Sequence, residues 1–353
     1  MEKILAALSI LLIMAVFITL IKKDFWIFKI LEYPRLQKLV IVCIATAAWI
    51  FYWPATNLFY QVIIALLFIS IIYLLVKIWP YTGLYKIEML KVAGKHKENE
   101  LKIFAANVLQ DNQEYERLLA QIEQMDPDII FLLETNKAWE ENSSRLKKSY
   151  PYHLLEPLEN TYGLLLYSRF QLENARVNYL VKNDVPSIEG LVVLPSGKKV
   201  QLWGLHPEPP VPGESLYATA KDKELMKVAL LARDCTLPCI VMGDLNDVAW
   251  SHTTELFRKT SRMLDPRRGR GFYNTFSSRH FFVRFPLDYI FCSKEFGLIS
   301  MKKMPENGSD HFAMFIHLAL AEEMKQVHDA PDADAKEISE AKETATQPVD
   351  NAE

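Results

Sequence analysis

From Ile4 to Ile21 the chain runs for 18 residues without a charge, and from Leu39 to Val76 for 38 more. About 20 apolar residues, rising 1.5 Å each in a helix, cross a hydrocarbon core of roughly 30 Å. The first run is therefore one crossing, and the second is too long for one. Pro54-Ala55-Thr56-Asn57 interrupts the second run, which predicts two helices joined by a tight turn. The expected anchor covers residues 1–82, with three transmembrane helices at about 4–21, 37–53 and 58–78. Trp49, Tyr52, Trp53, Trp79 and Tyr81 stand near the expected ends, where amphipathic rings favour the interface. A cleaved leader is the first alternative, but the run ends in Thr19-Leu20-Ile21-Lys22-Lys23 with no small-x-small site. A helical hairpin buried in a soluble domain is the second, and the length of the runs disfavours it.

The basic residues give an orientation. Lys22, Lys23, Lys29, Arg35 and Lys38 follow the first span, and Lys77, Lys86, Lys91, Lys95 and Lys97 accompany the end of the third. With three spans both groups lie on one face, which the positive-inside rule assigns to the cytoplasm. The expected protein is a multi-pass membrane protein with the lipid bilayer as its partner and its C-terminal domain in the cytoplasm.

The net charge of −3 conceals three unlike segments. Residues 1–100 carry 11 Lys and Arg against 6 Asp and Glu, residues 101–320 carry 26 against 27, and residues 321–353 carry 3 against 10. A strongly basic nucleic-acid coat protein is excluded, and so is a disulfide-stapled chain, since there are only four cysteines. Cys43 falls in an expected span, and Cys235, Cys239 and Cys292 show neither C-x-x-C nor zinc spacing. The last segment is acidic, Ala-rich and free of aromatic residues, and is expected to be a disordered tail over 321–353.

After a linker at 83–100, residues 101–320 alternate short apolar runs with amphipathic ones. Leu101–Asn107, Asp128–Glu134, Gly163–Ser168, Gly190–Leu194, Val200–Leu205, Cys239–Met242, Leu287–Cys292 and Phe312–Leu320 read as strands. Tyr115–Met125 and Ala218–Arg233 read as helices. Many strands and few helices suggest an α+β sandwich, not a doubly wound sheet.

Polar residues gather where these strands end or begin. Asn107 and Glu134 close the first two, His206 follows Val200–Leu205, and Gly243-Asp244-Leu245-Asn246 follows Cys239–Met242. Asp288 opens Leu287–Cys292, and Ser309-Asp310-His311 precedes the last strand. Each alone is explained by turn chemistry; six at strand ends in one domain are not. Glu134, Asp310 and Asn107 offer hard oxygen ligands suited to Mg²⁺ or Mn²⁺. Asp244 and Asn246, two residues apart, project to one face of an extended segment. There a carboxylate could orient or deprotonate water while the amide holds a phosphate oxygen. His311 beside a carboxylate such as Asp288 stays cationic longer and can stabilise a phosphorane. A Ser309-Asp310-His311 triad fails, because adjacent residues cannot adopt the nucleophile–base–orienter geometry.

Taken in order, Asn107, FLLE ending at Glu134, His206-Pro207, GDLN at 243–246, LDYI at 287–290 and SDH at 309–311 resemble the endonuclease/exonuclease/phosphatase superfamily over about residues 101–320. The resemblance implies a four-layer α/β/β/α sandwich that hydrolyses phosphoesters with Mg²⁺ or Mn²⁺ and a water nucleophile. It implies Glu134 as principal metal ligand, helped by Asn107 and Asp310. Asp244 would position the water, Asn246 the phosphate, and Asp288 would orient His311. His206 would contact the phosphate or protonate the leaving group. Two positions depart from the pattern: Tyr289 stands where many members have His, and Leu109 where abasic-site enzymes are acidic. The HPEPP loop and GDLNDVAWS look more like the bacterial, membrane-anchored branch, which implies the inner membrane.

Residues 258–284 carry eight Lys and Arg against Asp265 alone. Such a run is either a solvated basic face or a polyphosphate footprint, with Arg267, Arg268 and Arg270 as candidate substrate-binding residues and Phe272, Tyr273 and Phe276 interleaved. On the second reading the enzyme is a nuclease-like phosphodiesterase. A phospholipid (sphingomyelinase-like) or inositol-phosphate phosphoesterase is the alternative. An inactive membrane scaffold that binds phosphate-bearing partners is the alternative of another class.

Overall fold

The computed structural model describes residues 2–52, 57–92 and 96–349. Its N-terminal part holds α1 (Glu2–Phe17), the short α2 (Trp26–Ile30), α3 (Arg35–Tyr52) and α4 (Leu58–Ile78). The stretches Glu2–Leu20, Arg35–Tyr52 and Leu58–Tyr81 are each long and apolar enough to cross a membrane. Trp53 and the expected turn at Pro54-Ala55-Thr56 lie outside the described residues. The three long helices pack around Val16, Val42, Trp49 and Leu67, and the Trp49 indole N–H donates to Ser9 Oγ at 3.0 Å. A buried indole needs such a partner in an apolar bundle.

The rest of the chain runs β1 (Glu100–Asn107), α5 (Tyr115–Met125), β2 (Ile129–Leu133), α6 (Lys137–Asn142), β3 (Tyr152–Glu156), β4 (Leu164–Ser168), β5 (Gln171–Asn178), β6 (Ser187–Val193), β7 (Lys199–Leu205), α7 (Thr219–Asp234), β8 (Cys239–Asp244), α8 (His252–Ser261), β9 (Asp288–Cys292), β10 (Phe296–Lys303), β11 (Met314–Leu320), α9 (Met324–Val327) and α10 (Ala335–Thr346). The strands form two mixed sheets, ordered β10-β11-β1-β2-β4-β3 and β5-β6-β7-β8-β9. Alternation along each central strand explains the layers. In β2, Ile129, Phe131 and Leu133 enter the core between the sheets, while Ile130 and Leu132 face α5. In β8, Ile240 and Met242 point inward, and Cys239 and Val241 face the side covered by α7 and α8. Strands buried on both faces read as continuous apolar runs, which is why they stood out in the sequence. The result is the α+β sandwich expected, with four layers α/β/β/α.

Topology then brings the polar residues together. β1 and β2 are parallel, so Asn107 and the residue after Leu133 emerge at the same end. β7 and β8 are parallel too and deliver His206 and Asp244. β9 runs antiparallel to β8 with Asp244 opposite Asp288. Gly243 is obligatory here: its φ is +141°, and a Cβ would lie 1.9 Å from the Leu205 carbonyl oxygen.

Two expectations need correction. The acidic segment is not a solvated tail in its described part. Asp334 and Glu337 form a reciprocal capping box at the start of α10, and Ala341 and Ala345 are buried in the core beneath α7 and α8. Its acids meet basic partners: Glu337 pairs with Lys259, Glu340 with Lys22, and Asp332 with Arg233 and Arg262. Low hydrophobicity hid a helix that needs only an alanine stripe and complementary charge. The linker at 83–100 is likewise docked in its described part. Met89 is fully buried in the inter-sheet core, and Glu88 bridges Arg258 and Arg268. Ala93–Lys95 lie outside the described residues.

Candidate active site

A cavity of about 700 Å³ opens at the end of the sandwich where these strands converge. Glu134, His206, Asp244, Asn246, Asp310 and His311 line it, and Asn107 and Asp288 stand directly behind. His311 is the centre of one wall. Its Nδ1 is 2.9 Å from Asp288 Oδ2 and its Nε2 is 3.5 Å from Asp244 Oδ2. Burial opposes its charge, but the two carboxylates outweigh burial and raise the imidazole to about 10. Burial pushes Asp244 up to about 7, against the pull of His311.

The backbone is shaped to hold this arrangement. Asn246 N–H donates to Asp244 Oδ1 at 2.9 Å, and Asn246 itself sits at φ +50° with its amide nitrogen donating to the Pro207 carbonyl at 2.9 Å. Glu134 sits at φ +56°. Non-glycine residues in this region cost of order 1 kcal/mol or more and cluster at functional sites. Ser309 is no nucleophile. Its hydroxyl donates to the Asn107 carbonyl at 2.8 Å and accepts from His311 N–H at 3.0 Å, so it fastens β1 to the His311 turn.

Glu134 and Asp310 also line the cavity. Burial, with the negative charge of Asp310 adding to it, raises the Glu134 carboxyl against a hydrogen bond from Asn107. Two mutually repelling carboxylates open to a cavity are the donor chemistry of a partly hydrated Mg²⁺ or Mn²⁺. Asp244, Asp288 and His311 also bring ligand atoms within 4.8 Å of one another. A cation there would displace the proton that His311 shares with its carboxylates, so the Glu134–Asp310 pair fits a metal better. Asn107 presents its amide nitrogen to this cluster, 2.6 Å from Glu134 Oε1 and 3.1 Å from Asp244 Oδ2. Its oxygen, expected as a ligand, instead accepts from Leu109 N–H at 3.1 Å.

Burial, with the nearby charge of His311, holds His206 down to about 3, so its ring, 3.9 Å from Glu134, favours the neutral form, which suits contact with the phosphate better than protonation of a leaving group. One further expectation fails on geometry. Arg267, Arg268 and Arg270 do not line the cavity. Arg267 is buried against Asp265 at 2.8 Å, donates to the Asp288 carbonyl at 3.1 Å and lies 4.0 Å over the Tyr289 ring. Arg268 pairs with Glu88 and Glu255, and Arg270 donates to the carbonyls of Pro266 and Met89. Arg267 and Arg268 are internal struts, whereas Arg270 and Arg284 border a separate groove and Arg262 and Arg279 are exposed. Tyr289 fits its place, because its hydroxyl donates to the Asp247 carbonyl at 2.8 Å beside the Asp244 loop.

Sequence reasoning missed Tyr33 and Thr275, and took Phe276 only as a stacking surface in the basic run. Thr275 Oγ1 accepts from the Asp288 N–H at 3.2 Å, the Phe276 ring lies 5.0 Å from that of His311, and Tyr33 lines the cavity. Single residues in irregular segments leave no periodic signal.

Comparison with solved structures gives matches over the sandwich. The human Nocturnin catalytic domain, with bound sulfate, has a TM-score of 0.51 at 18% identity, covering 64% of this chain and 96% of that one. TDP2 from D. rerio, complexed with a single-strand DNA product, has a TM-score of 0.51 at 16% identity, covering 62% and 98%. An endonuclease/exonuclease/phosphatase family protein from Bacteroides thetaiotaomicron has a TM-score of 0.51 at 16% identity, covering 63% and 98%. At these identities the likeness is one of fold. Comparison with curated protein sequences gives no match. The profile of the Endonuclease/Exonuclease/phosphatase family matches residues 101–311, more than half of the chain and every polar strand end described above, and the chain belongs to that family.

Proposed function

We propose that this protein is a membrane-anchored hydrolase of phosphoesters that depends on a divalent metal and uses water as its nucleophile. The reading is carried by one observation: His311 stands between Asp288 and Asp244, at 2.9 and 3.5 Å, facing a cavity that Glu134 and Asp310 also line. Glu134 and Asp310, with Asn107 beside them, would hold Mg²⁺ or Mn²⁺, which when bound supplies positive charge to a phosphate oxygen. Asp244 takes a proton from the attacking water, whose oxygen forms the new P–O bond as the ester P–O bond breaks. The His311 imidazolium faces the charge that builds on phosphorus oxygens and gives its proton to the departing oxygen. Asp244 then returns its proton to Nε2, and Asp288 keeps the ring in place. Asn246 and neutral His206 would contact the phosphate.

The apolar helices support the anchoring. Leu11, Ile44 and Ile72 are each more than 60% exposed on the bundle's outer faces, as lipid-facing residues are. The basic residues at the domain end of the bundle support a cytoplasmic domain, although Lys29 is spent on Asp222 and Lys22 on Glu340. The nuclease-like reading drew on Arg267, Arg268 and Arg270, none of which lines the cavity, so their charge no longer supports it.

The test uses the full chain in detergent micelles with Mg²⁺ or Mn²⁺ and bis(p-nitrophenyl) phosphate. Turnover that disappears on chelation and in Asp244→Asn and His311→Gln is expected. Absence of turnover would favour the scaffold, and turnover that survives both substitutions would remove these residues from the chemistry.

A further inference from the structure

One side of the cavity is not made by the sandwich. Ile30, Tyr33, Pro34 and Gln37, from α2 through the first turn of α3, line it together with Phe282 and Val283. Gln37 Nε2 donates to the Phe282 carbonyl at 2.8 Å, which fastens the aromatic loop to α3. Phe281 and Phe282 on that loop are 71% and 81% exposed, a concentration of apolar surface that marks an interaction site. A second, mostly apolar groove of about 850 Å³ shares Gln37 and Phe282 with the cavity and continues along Leu36, Val40 and Ile41. The charge-free run of α3 begins at Leu39, so the groove, through Val40 and Ile41, reaches the first turn of the part that would lie in lipid.

The lining is also selective by what it omits. Among the described residues none of those around the cavity itself is Lys or Arg, so a nucleic-acid backbone would find no counter-charge beside the reacting phosphate. A single phosphoester joined to an apolar chain suits both ends: the phosphate at His311 and Glu134, the chain past Phe282 onto α3. Arg284 and Lys303 stand in the wall of the groove, where they can meet anionic headgroups at the surface.

We infer, resting on the hydrolase reading above, that the substrate is a lipid-borne phosphoester drawn sideways out of the bilayer, with Phe282 and the start of α3 guiding its chain. The full chain in phosphatidylcholine nanodiscs, with Mg²⁺ or Mn²⁺, is given dodecyl p-nitrophenyl phosphate, methyl p-nitrophenyl phosphate and single-stranded DNA. The dodecyl ester is expected to exceed the methyl ester in kcat/KM by about tenfold or more, and Phe282→Asp to shrink that ratio while Phe282→Leu retains it. The ratio within one variant is insensitive to the amount of folded protein. Equal rates for the two esters, or a ratio unmoved by Phe282→Asp, would overturn the lipid inference and leave the hydrolase standing. Faster cleavage of DNA than of the dodecyl ester would overturn it in favour of nucleic acid. No turnover of any of the three would overturn the hydrolase reading itself.

Discussion

Tyr33 donates its hydroxyl hydrogen to the backbone carbonyl of Asn246 across 2.7 Å, a contact between residues 213 positions apart. It joins the connection that precedes α3 to the loop that presents Asp244. The neighbouring bonds reinforce it: the Trp250 indole N–H donates to the Glu32 carbonyl at 2.9 Å, and Lys29 pairs with Asp222 at 2.7 Å. The N-terminal helices thus abut the Asp244 loop itself.

Tyr33→Phe removes that bond while keeping the ring in the cavity wall. A net loss of about 1 kcal/mol is expected. The unfolding temperature should drop by about 2–4 °C, and turnover of a soluble phosphodiester should fall severalfold as the Asp244 loop loses its tie. Steady-state kinetics beside a thermal melt would check it, and an unchanged rate would make the contact incidental.

Asp288→Asn leaves the size of the side chain but takes away the charge that holds His311 at 2.9 Å. The imidazole loses its strongest reason to remain protonated, because burial alone lowers it. Turnover at neutral pH should drop by about 10²–10⁴-fold, the ordinary worth of a positioned acid or base. A drop of only a few fold would show that His311 works without its partner.

Arg267→Ala separates a structural role from a substrate role. The guanidinium and Asp265 are both almost fully buried, and leaving one buried charge unpaired costs about 3–5 kcal/mol. The expected result is a large fall in unfolding temperature. A stable variant with a raised KM would restore Arg267 to the substrate.

Glu224 on α7 is 3% exposed, has an unpartnered carboxyl oxygen, and is raised by burial to about 8. The folded state therefore keeps a proton between about pH 4.5 and 8 that the unfolded state has released. In that window stability falls as pH rises, by about 1.4 kcal/mol per pH unit for one proton. Glu224→Gln should flatten the dependence, as denaturant midpoints across that range would reveal. An equally steep decline in the variant would assign the dependence to another group.

The strands that the sequence made legible are those buried on both faces. Three of the four sheet edges, β3, β5 and β10, carried no readable pattern. β5 is QLENARVN, half-exposed, with an irregularity between Glu173 and Arg176 and Asn174 at φ +51°. Such edges are kept polar and bent to avoid pairing with other chains, and the same features erase the alternation. The site was legible because parallel strands deliver their last residues to one end, so a polar residue closing an apolar run is a strong mark. The arginines misled because a charge count cannot tell a solvated guanidinium from one stacked on Tyr289. The acidic segment misled for the matching reason, since its partners Lys22, Lys259 and Arg262 are far away along the chain.

The pairing of Lys22 with Glu340 spans 318 positions. A ribosome releases the lysine long before it makes the glutamate, so the first connection waits without this partner while the sandwich is synthesised. α10 therefore closes over the connection only after the sandwich that it covers has been made, and a chain halted before residue 335 would leave α7 and α8 without their cover.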